Sequence, residues 1–508
     1  MSSVALSPDQ AEAWDAVAAA LHDTGIDIDS HDIIGPPSEV QRTLAVIGKA
    51  GSGKTLLLAQ LTRGLKEAGA EIISADWEGK PRKDRRTLAV LAPTNKAASV
   101  LRNRGVPATT IHRILYTPVY DPEYEKIAEW LIGQGDRPEQ TEAVTDIQLD
   151  RAKASYGQNA SIPAALAAAG LRGSDFISGW KRREDPLDIG FIDESSMLDE
   201  RQLKDLQEIF PTLILFGDPA QLPPVQGVGG MAFEKLPPQR RFVLNRIHRQ
   251  EADNPILDLA HALADPALEF DAFDRMIEDA ARKDSRVVYA SRVESELMAR
   301  SPVLVWRNAT RIRLIHAFRN VYNAPADSLL PGEPLICDGI ELPQQHRKKR
   351  LDLEARGLIK GAQVIYLGPG KRPGFSRLHV MGAEDPRLGA SSIVKIEQVG
   401  EEEPFIPYAA KMGATFLHGA AVTIHKSQGS QWDTVQVFAP DILAAARAGR
   451  NEAGQPLWKR LAYVAITRAE RELRWVTRYA LSRPAAPLSV TDLDIAPAPF
   501  ALTAEESN

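Results

Sequence analysis

Apolar residues along this chain fall into short, near-continuous runs separated by polar or glycine-rich turns, and the runs gather in two blocks. In the first block, roughly residues 1–250, the strand candidates are Thr43–Ile47, Thr87–Leu91, Ile189–Ile192 and Thr212–Phe216. Runs of this length without alternation suit parallel strands buried on both faces. Each is followed by a polar or glycine-rich turn, and in open α/β sheets ligands collect at those carboxyl ends. The second block offers Pro302–Trp306, Ala421–His425, Thr434–Phe438 and Glu472–Val476. Between the first two lies a stretch, 330–412, rich in glycine and proline and holding short runs such as Ala362–Tyr366, which reads as a small inserted β domain. A second interruption, 116–186, sits inside the first block and reads mostly helical. The Pro- and Ala-rich tail over 483–508 is expected to be flexible. No internal repeat is visible at a period of ~20–50 residues.

Composition narrows the class. At 508 residues the chain has room for three or four domains. Hydrophobic residues make up 44% and charged residues 25%, ordinary values for packed domains. No apolar run approaches the ~20 residues that cross a bilayer, so no membrane partner is expected. The segment Met1–Pro8 has neither a basic nor a long apolar region, so a secretory signal is not expected. A single cysteine, Cys337, excludes an internal disulfide and a cysteine-based zinc site, and points to the reducing cytoplasm. A net charge of -6 excludes a basic coat over the whole surface but leaves a local basic channel open.

Chemistry enters at Gly48-Lys49-Ala50-Gly51-Ser52-Gly53-Lys54-Thr55, which satisfies G-x-x-x-x-G-K-[ST] between an apolar run and a helical one. Glycines let backbone N–H groups turn inward around phosphate oxygens, and the following helix N-terminus adds partial positive charge. Lys54 then reaches the β- and γ-phosphates of ATP and the Thr55 hydroxyl ligates Mg²⁺. Asp193-Glu194 follows the apolar run ending at Ile192. Asp193 is placed to hold Mg²⁺ and Glu194 to orient and deprotonate water. The same four residues, Asp193 to Ser196, also make an ordinary acidic helix start. Arginines in 245–250 and 463–469, Arg249 and Arg468, are candidates for stabilising transition-state charge, though composition alone does not select them.

With these pieces in order the chain resembles the superfamily 1 DNA helicases, in the subclass that holds RecD-like enzymes and the phage helicase Dda (superfamily 1B). The matching segments are GKAGSGKT at 48–55, APTNKAA at 92–98, TTIHRIL at 109–115, DESSM at 193–197, GDPAQLPPV at 217–225, NRIHRQ at 245–250, VTIHKSQGSQWD at 422–433 and YVAITRA at 463–469. The resemblance implies an α/β fold of two RecA-like parallel-sheet motor domains. The first spans 1–250 with the 116–186 insertion. The second spans 251–329 and 413–482 with a small SH3-like β insertion at 330–412. It implies ATP and Mg²⁺ as cofactors, Gln221 as a γ-phosphate sensor, Asp218 as a tie toward the Mg²⁺ region, and Arg249 and Arg468 as arginine fingers. It also brings Gly429 to the γ-phosphate through its backbone. Gln10 matches a glutamine that reads the adenine edge, although Ser7-Pro8-Asp9-Gln10 is also a capping box.

The resemblance further implies contacts to single-stranded and forked DNA from Thr94, Lys96, His112, Thr423, His425 and Lys426, and from the segment Trp306-Arg307-Asn308. Trp306 either stacks on a base or is a core tryptophan. The run His346–Arg350 is the densest basic patch and reads more simply as a solvated loop. Movement is expected 5′ to 3′ and the chain is expected to be a monomer, both from the resemblance. An RNA helicase, or a translocase that strips proteins without unwinding, would use the same ATP machinery. Tyr116–Pro122 is a candidate strand-parting hairpin, with Tyr116, Tyr120 and Tyr124 either capping the last base pair or packing the insertion onto the first block. The insertion is longer than a bare pin requires.

Overall fold

A computed structural model describes residues 6–36, 40–73, 86–120, 122–140, 144–159, 165, 169, 177–183, 185–224, 231–245, 254–341, 353, 356–383, 386–398, 413–452 and 454–494. Two compact units divide the chain. One comprises Met1–Val293, Ser301–Arg311 and Ala421–Ala480; the other comprises Glu294–Arg300, Ile312–Ala420 and Leu481–Asn508.

The first unit holds two parallel sheets. One has seven strands, in the order Arg241–Leu244, Arg42–Gly48, Thr212–Gly217, Ile189–Ile192, Thr87–Ala92, with Glu71–Ile72 and Ala108–Thr110 pairing opposite ends of the last. Every pairing is parallel. Successive side chains on a strand point to opposite faces, and the two cores show that period. Val46, Leu88, Val90, Phe191, Ile214 and Phe216 join one, with helices Pro8–His22, Lys54–Glu67 and Asn95–Asn103. Ala45, Ile47, Leu91, Ile192, Leu213 and Leu215 join the other, with helix Glu200–Ile209. Burial on both faces is why these strands read as unbroken apolar runs.

The second sheet runs Val287–Ala290, Ala469–Val476, Trp432–Phe438, Val303–Val305, Ala421–Thr423, again all parallel. Phe270 and Phe273, from helix Phe270–Lys283, pack their rings against Trp458 and Trp475 at centroid distances of 5.7 to 6.5 Å. The Trp475 indole donates to Asp274 at 2.7 Å. This aromatic group seats helix Leu457–Ile466, which carries Trp458.

The expected strands form, with differences that have local causes. Ala421–His425 stops as a strand at Thr423, where the Thr423 hydroxyl accepts from the Lys426 amide and starts helix Ile424–Ser427. Four further strands of the two parallel sheets, of two to four residues each, are too short to leave a pattern in sequence. Tyr116–Tyr120 is a strand, but not one arm of a local hairpin. It pairs antiparallel with Ile177–Arg182, so the expected hairpin at 116–122 is corrected to a ribbon closed across the whole insertion. Between its arms lie helices Pro122–Leu131 and Asp146–Asn159 with their own small core of Ile127, Leu131, Leu149 and Ala152.

In the second unit, Pro334–Glu341, Gln363–Pro369, Phe375–Val380, Arg387–Lys395 and Gly413–His418 close into a five-stranded barrel around Leu335, Val364, Leu378 and Phe416. Cys337 is buried in that core, and its thiol donates to Gly339 O at 3.7 Å. Below it, Glu333 is fully buried and meets the His418 ring at 2.8 Å and Arg319 at 3.3 Å. The start of the tail is held rather than loose. The Ser489 carbonyl accepts from Arg300 at 2.6 Å and the Ala485 amide donates to Glu296 at 2.6 Å. Residues 495–508 and the basic run at 346–350 lie outside the described residues. No described helix is long and apolar enough to cross a membrane.

One buried carboxylate fixes the turn after Val303–Val305. Asp441 is fully buried on helix Ala439–Arg447 and accepts from the amides of Trp306 (3.0 Å) and Arg307 (2.9 Å), the Thr310 hydroxyl (2.9 Å) and the Arg307 guanidinium. Asp441→Ala strands two amides and a hydroxyl, so it should cost about 2–4 kcal/mol. The measurement is the denaturant midpoint, which should fall; an unchanged midpoint would show that the network adds nothing net.

Candidate nucleotide and nucleic-acid site

The phosphate loop leaves the strand Arg42–Gly48 and enters helix Lys54–Glu67 through two left-handed glycines, Gly51 (φ 83°) and Gly53 (φ 79°). A side chain at either would be strained, and that conformation turns the loop amides toward one point. The Lys54 ammonium folds back on its own loop, donating to the carbonyls of Gly48 (2.5 Å) and Lys49 (3.0 Å). The Ser52 hydroxyl is buried with no partner among the described residues. An orphaned hydroxyl and a lysine with only loop carbonyls to satisfy it fit a phosphate chain. Gln10 closes the cap and also reaches the phosphate loop. Its carbonyl accepts from the Ser7 amide at 3.0 Å, closing the cap, while its amide donates to Ser52 O at 3.3 Å on the phosphate loop.

Asp193 and Glu194 follow the strand Ile189–Ile192, two strands across the sheet from the loop. Burial, reinforced by the Glu194 carboxylate and opposed by Lys54, pushes the Asp193 carboxyl well above the ordinary carboxylate range. Glu194 sits in left-handed backbone (φ 52°), a conformation that costs a non-glycine residue energy and aims its side chain away from the path of the strand. This strain has no trace in the sequence. The turn is held from both sides. Ser195 donates to Phe216 O at 2.8 Å and Ser196 donates to the Gln221 side chain at 3.1 Å. Gly217 makes this approach possible, since a Cβ there would lie 2.7 Å from the Ser195 hydroxyl and 2.5 Å from the Phe233 ring. Among the described residues no group of three or more His, Cys, Asp or Glu side chains is arranged to hold a metal ion. A Mg²⁺ ion at Thr55 and Asp193 would therefore draw on nucleotide oxygens.

Between the phosphate loop and Asp193 runs the strand Thr212–Gly217, ending at Asp218 and Gln221, both nearly fully buried. Asp218 accepts from the Ala220 amide at 2.9 Å and from the Tyr463 hydroxyl at 2.7 Å. Its tie therefore runs to the second sheet. The same hydroxyl accepts from the Ala50 amide of the phosphate loop at 2.8 Å. Arg468, one turn beyond Tyr463, is buried and donates to Val464 O (3.0 Å), Ser430 O (3.1 Å) and the Thr467 hydroxyl (3.2 Å). Arg249 lies outside the described residues. The nearest neighbours of Gly429 (φ 72°) are Ala97 and Thr94 of the 92–98 loop, while Gln428 donates to Leu222 O at 3.3 Å. The 427–430 loop therefore lies against Thr94 and Ala97 on one side and reaches the loop after Thr212–Gly217 on the other.

The residues expected at nucleic acid follow the remaining strands. Thr94 caps helix Asn95–Asn103, accepting from the Ala97 amide at 3.1 Å. Burial lowers the Lys96 ammonium, with Glu470 acting the other way. His112 is exposed beside the Tyr116 ring at 5.1 Å. Thr423, His425 and Lys426 begin the short helix after Ala421–Thr423, and burial lowers the His425 imidazole. Trp306 is half-buried, between its two expected states, and Arg307 and Asn308 are exposed at the turn that Asp441 holds. Tyr116 donates to the Asp205 carboxylate, which with burial pushes its hydroxyl up to about 12, and Arg182 on the other arm also reaches Asp205. Tyr116 thus packs the insertion onto the first sheet; the side chains of Tyr120 and Tyr124 lie outside the described residues.

Sequence reading missed Ser195, Ser196 and Tyr463, as well as Arg460, which donates to Pro219 O at 3.0 Å, and His261, whose ring meets Ala50 O at 3.3 Å. The serines carried a signal, since they stand beside Asp193-Glu194, but they read as a helix start. Tyr463 opens the YVAITRA segment but was given no role of its own, and Arg460 lies outside every matching segment.

A family model described as an AAA domain matches residues 38–282, and one described as the UvrD-like helicase C-terminal domain matches 418–476. Conjugal transfer proteins TraA of Rhizobium radiobacter and Agrobacterium fabrum are each 26% identical, over 319 and 317 residues, covering 58% of this chain and 25% of their own length. The chain thus spans about a quarter of the length of these curated relatives. Among solved structures it is similar to Pif1 helicase from Candida albicans, with 16% identity, 94% and 96% coverage and a TM-score of 0.45. It is also similar to Bacteroides Pif1 in complex with ADP-AlF3 and ssDNA, with 14% identity, 94% and 93% coverage and a TM-score of 0.45. The two models take in all seven strands of the first sheet and the last three, in chain order, of the second, so an AAA-domain match on the first sheet is followed by a UvrD-like helicase C-terminal match on the second.

Proposed function

We propose that this chain is an ATP-hydrolysing, RecD-like DNA helicase that moves 5′ to 3′ on single-stranded DNA and parts the duplex ahead of it, in replication, recombination or repair. The observation that carries the reading is the junction at Tyr463. Its hydroxyl joins the phosphate loop of the first sheet (Ala50 N, 2.8 Å) to Asp218 (2.7 Å) from a helix of the second sheet. A nucleotide at Lys54 and Thr55 therefore bears on both sheets, and opening and closing around it can move the nucleic-acid loops of one past those of the other.

In this reading residues 1–250 form one motor domain with the insertion at 116–186. Residues 251–329 and 413–482 form the other, with the barrel at 330–412. Lys54 and the loop amides bind the phosphates, Gln10 reads the base, and Thr55 and Asp193 hold Mg²⁺, which when bound neutralises developing phosphate charge. Glu194 accepts the proton of the attacking water, and Gln221, held by Ser196, senses the γ-phosphate. Arg468, with Arg249, supplies transition-state charge, for which Arg468 exchanges its backbone carbonyl partners for phosphate oxygens. Thr94, Lys96 and His112 grip the strand from one sheet, and Trp306, Asn308, Thr423, His425 and Lys426 from the other. Similarity to proteins named for conjugal transfer favours DNA over RNA; the polarity is carried by the motif resemblance.

Lys54→Ala and Glu194→Gln should each leave less than about a tenth of wild-type ATP turnover, since each is asked for several kcal/mol of barrier lowering. They should differ in binding: Lys54→Ala weakens nucleotide affinity, while Glu194→Gln retains bound, uncleaved ATP. Turnover above that level in either variant refutes the assignment. Arg468→Ala should lose ~10³-fold of the DNA-stimulated rate, the range of arginine fingers in phosphoryl transfer. It should still bind both ATP and single-stranded DNA. Normal hydrolysis by Arg468→Ala would show that the second sheet does not complete the site.

A further inference from the structure

We propose that Tyr463 is a positioning residue that transmits the state of the phosphate loop and the 217–225 loop to Arg468, an inference that rests on the helicase reading above. The argument begins with helix Leu457–Ile466, all ten residues of which are buried. Helices buried all round are ordinarily apolar, yet this one carries Lys459, Arg460 and Tyr463. Burying such donors is costly unless they are satisfied, and each one is, by a different element. Arg460 donates to Pro219 O at 3.0 Å, to Gln221 O, and to Glu452 O at 2.9 Å. Lys459 donates to Asp265 O at 2.7 Å and Pro266 O at 3.1 Å. Tyr463 donates to Asp218 and accepts from the Ala50 amide.

Arg460 and Tyr463 are three residues apart and so lie on one face of the helix. That face grips the 217–225 loop by two backbone carbonyls and one carboxylate. Residue Ala50 is held through both of its backbone groups, its N–H by Tyr463 and its carbonyl by the His261 ring at 3.3 Å. A shift of the phosphate loop or of Asp218 therefore displaces Tyr463, and Arg468 follows one turn along the chain, bonded back to Val464 O at 3.0 Å. Burial and the Asp218 carboxylate push the Tyr463 hydroxyl well above its ordinary value, so it stays a neutral donor through the physiological pH range. A phenylalanine keeps the ring and its packing and removes only the strut.

The experiment is Tyr463→Phe in the full chain, read three ways. The DNA-stimulated kcat should fall about tenfold or more, while the KM for ATP and the Kd for single-stranded DNA stay within about threefold, the signature of a group acting on the transition state rather than on binding. Amide exchange over residues 48–53 should rise without a rise across 457–466. In a double-mutant cycle with Asp218→Asn the two losses should be well short of additive, because the pair acts as a unit. Unchanged kcat with normal wild-type stimulation overturns the coupling alone. Losses of kcat, affinity and thermal stability together would make Tyr463 a packing residue and overturn it as well. A wild-type chain with no DNA stimulation at all would overturn the helicase reading, and the coupling with it.

Discussion

Every strand of the two main sheets points the same way. A parallel sheet delivers all of its strand ends to one edge, and the loops that leave that edge are the only part of the sheet free to carry chemistry. In the seven-stranded sheet the spatial order of strands then becomes an order of chemical groups. The phosphate loop follows Arg42–Gly48, Asp218 and Gln221 follow Thr212–Gly217, Asp193 and Glu194 follow Ile189–Ile192, Thr94 follows Thr87–Ala92, and His112 follows Ala108–Thr110. Residues proposed for nucleotide and for nucleic acid thus occupy opposite ends of one edge. The Ser196–Gln221 contact and the close passage at Gly217 tie neighbouring loops together along it.

The polar groups that hold this edge together are buried, and low dielectric makes each one consequential. Asp193 feels burial and a neighbouring carboxylate, so its charge depends on what cation stands beside it. Glu194 is held in a strained turn whose cost is met by the packing of Ser195 and Ser196 behind it. The second sheet contributes no phosphate loop of its own. It contributes a buried helix whose arginine and tyrosine both bond to the first sheet's loops. That exchange of partners is what makes a single bound nucleotide a matter for both sheets.

Sequence carried the parallel strands because burial on both faces writes itself as unbroken apolar runs, and it carried the phosphate loop because its glycines and lysine are contiguous. It did not carry the ribbon formed by Tyr116–Tyr120 and Ile177–Arg182, whose arms are joined by a long insertion and share no turn signal. It misjudged the segment after Thr423, where a β-branched run conceals a threonine that caps a helix. Gln10 was legible as a cap residue and as a reader of adenine; its carbonyl closes the cap, while its amide meets the phosphate loop, a contact that no sequence pattern shows. Tyr463 was legible only as the first residue of the YVAITRA segment, since a hydroxyl among apolar neighbours shows its importance only when the residues across the fold from it are known.

If the strand-gripping loops and the phosphate loop belong to one machine, the grip must be felt in the chemistry. Steady-state phosphate release by the full chain, with ATP and Mg²⁺ saturating, measured alone and then with a single-stranded DNA or an RNA of the same length, reads that link. The account predicts a rate raised about tenfold or more by DNA, equivalent to about 1.4 kcal/mol or more of barrier lowering, and a smaller rise with RNA. Hydrolysis that is the same with and without DNA would contradict it, and a rise confined to RNA would reassign the strand.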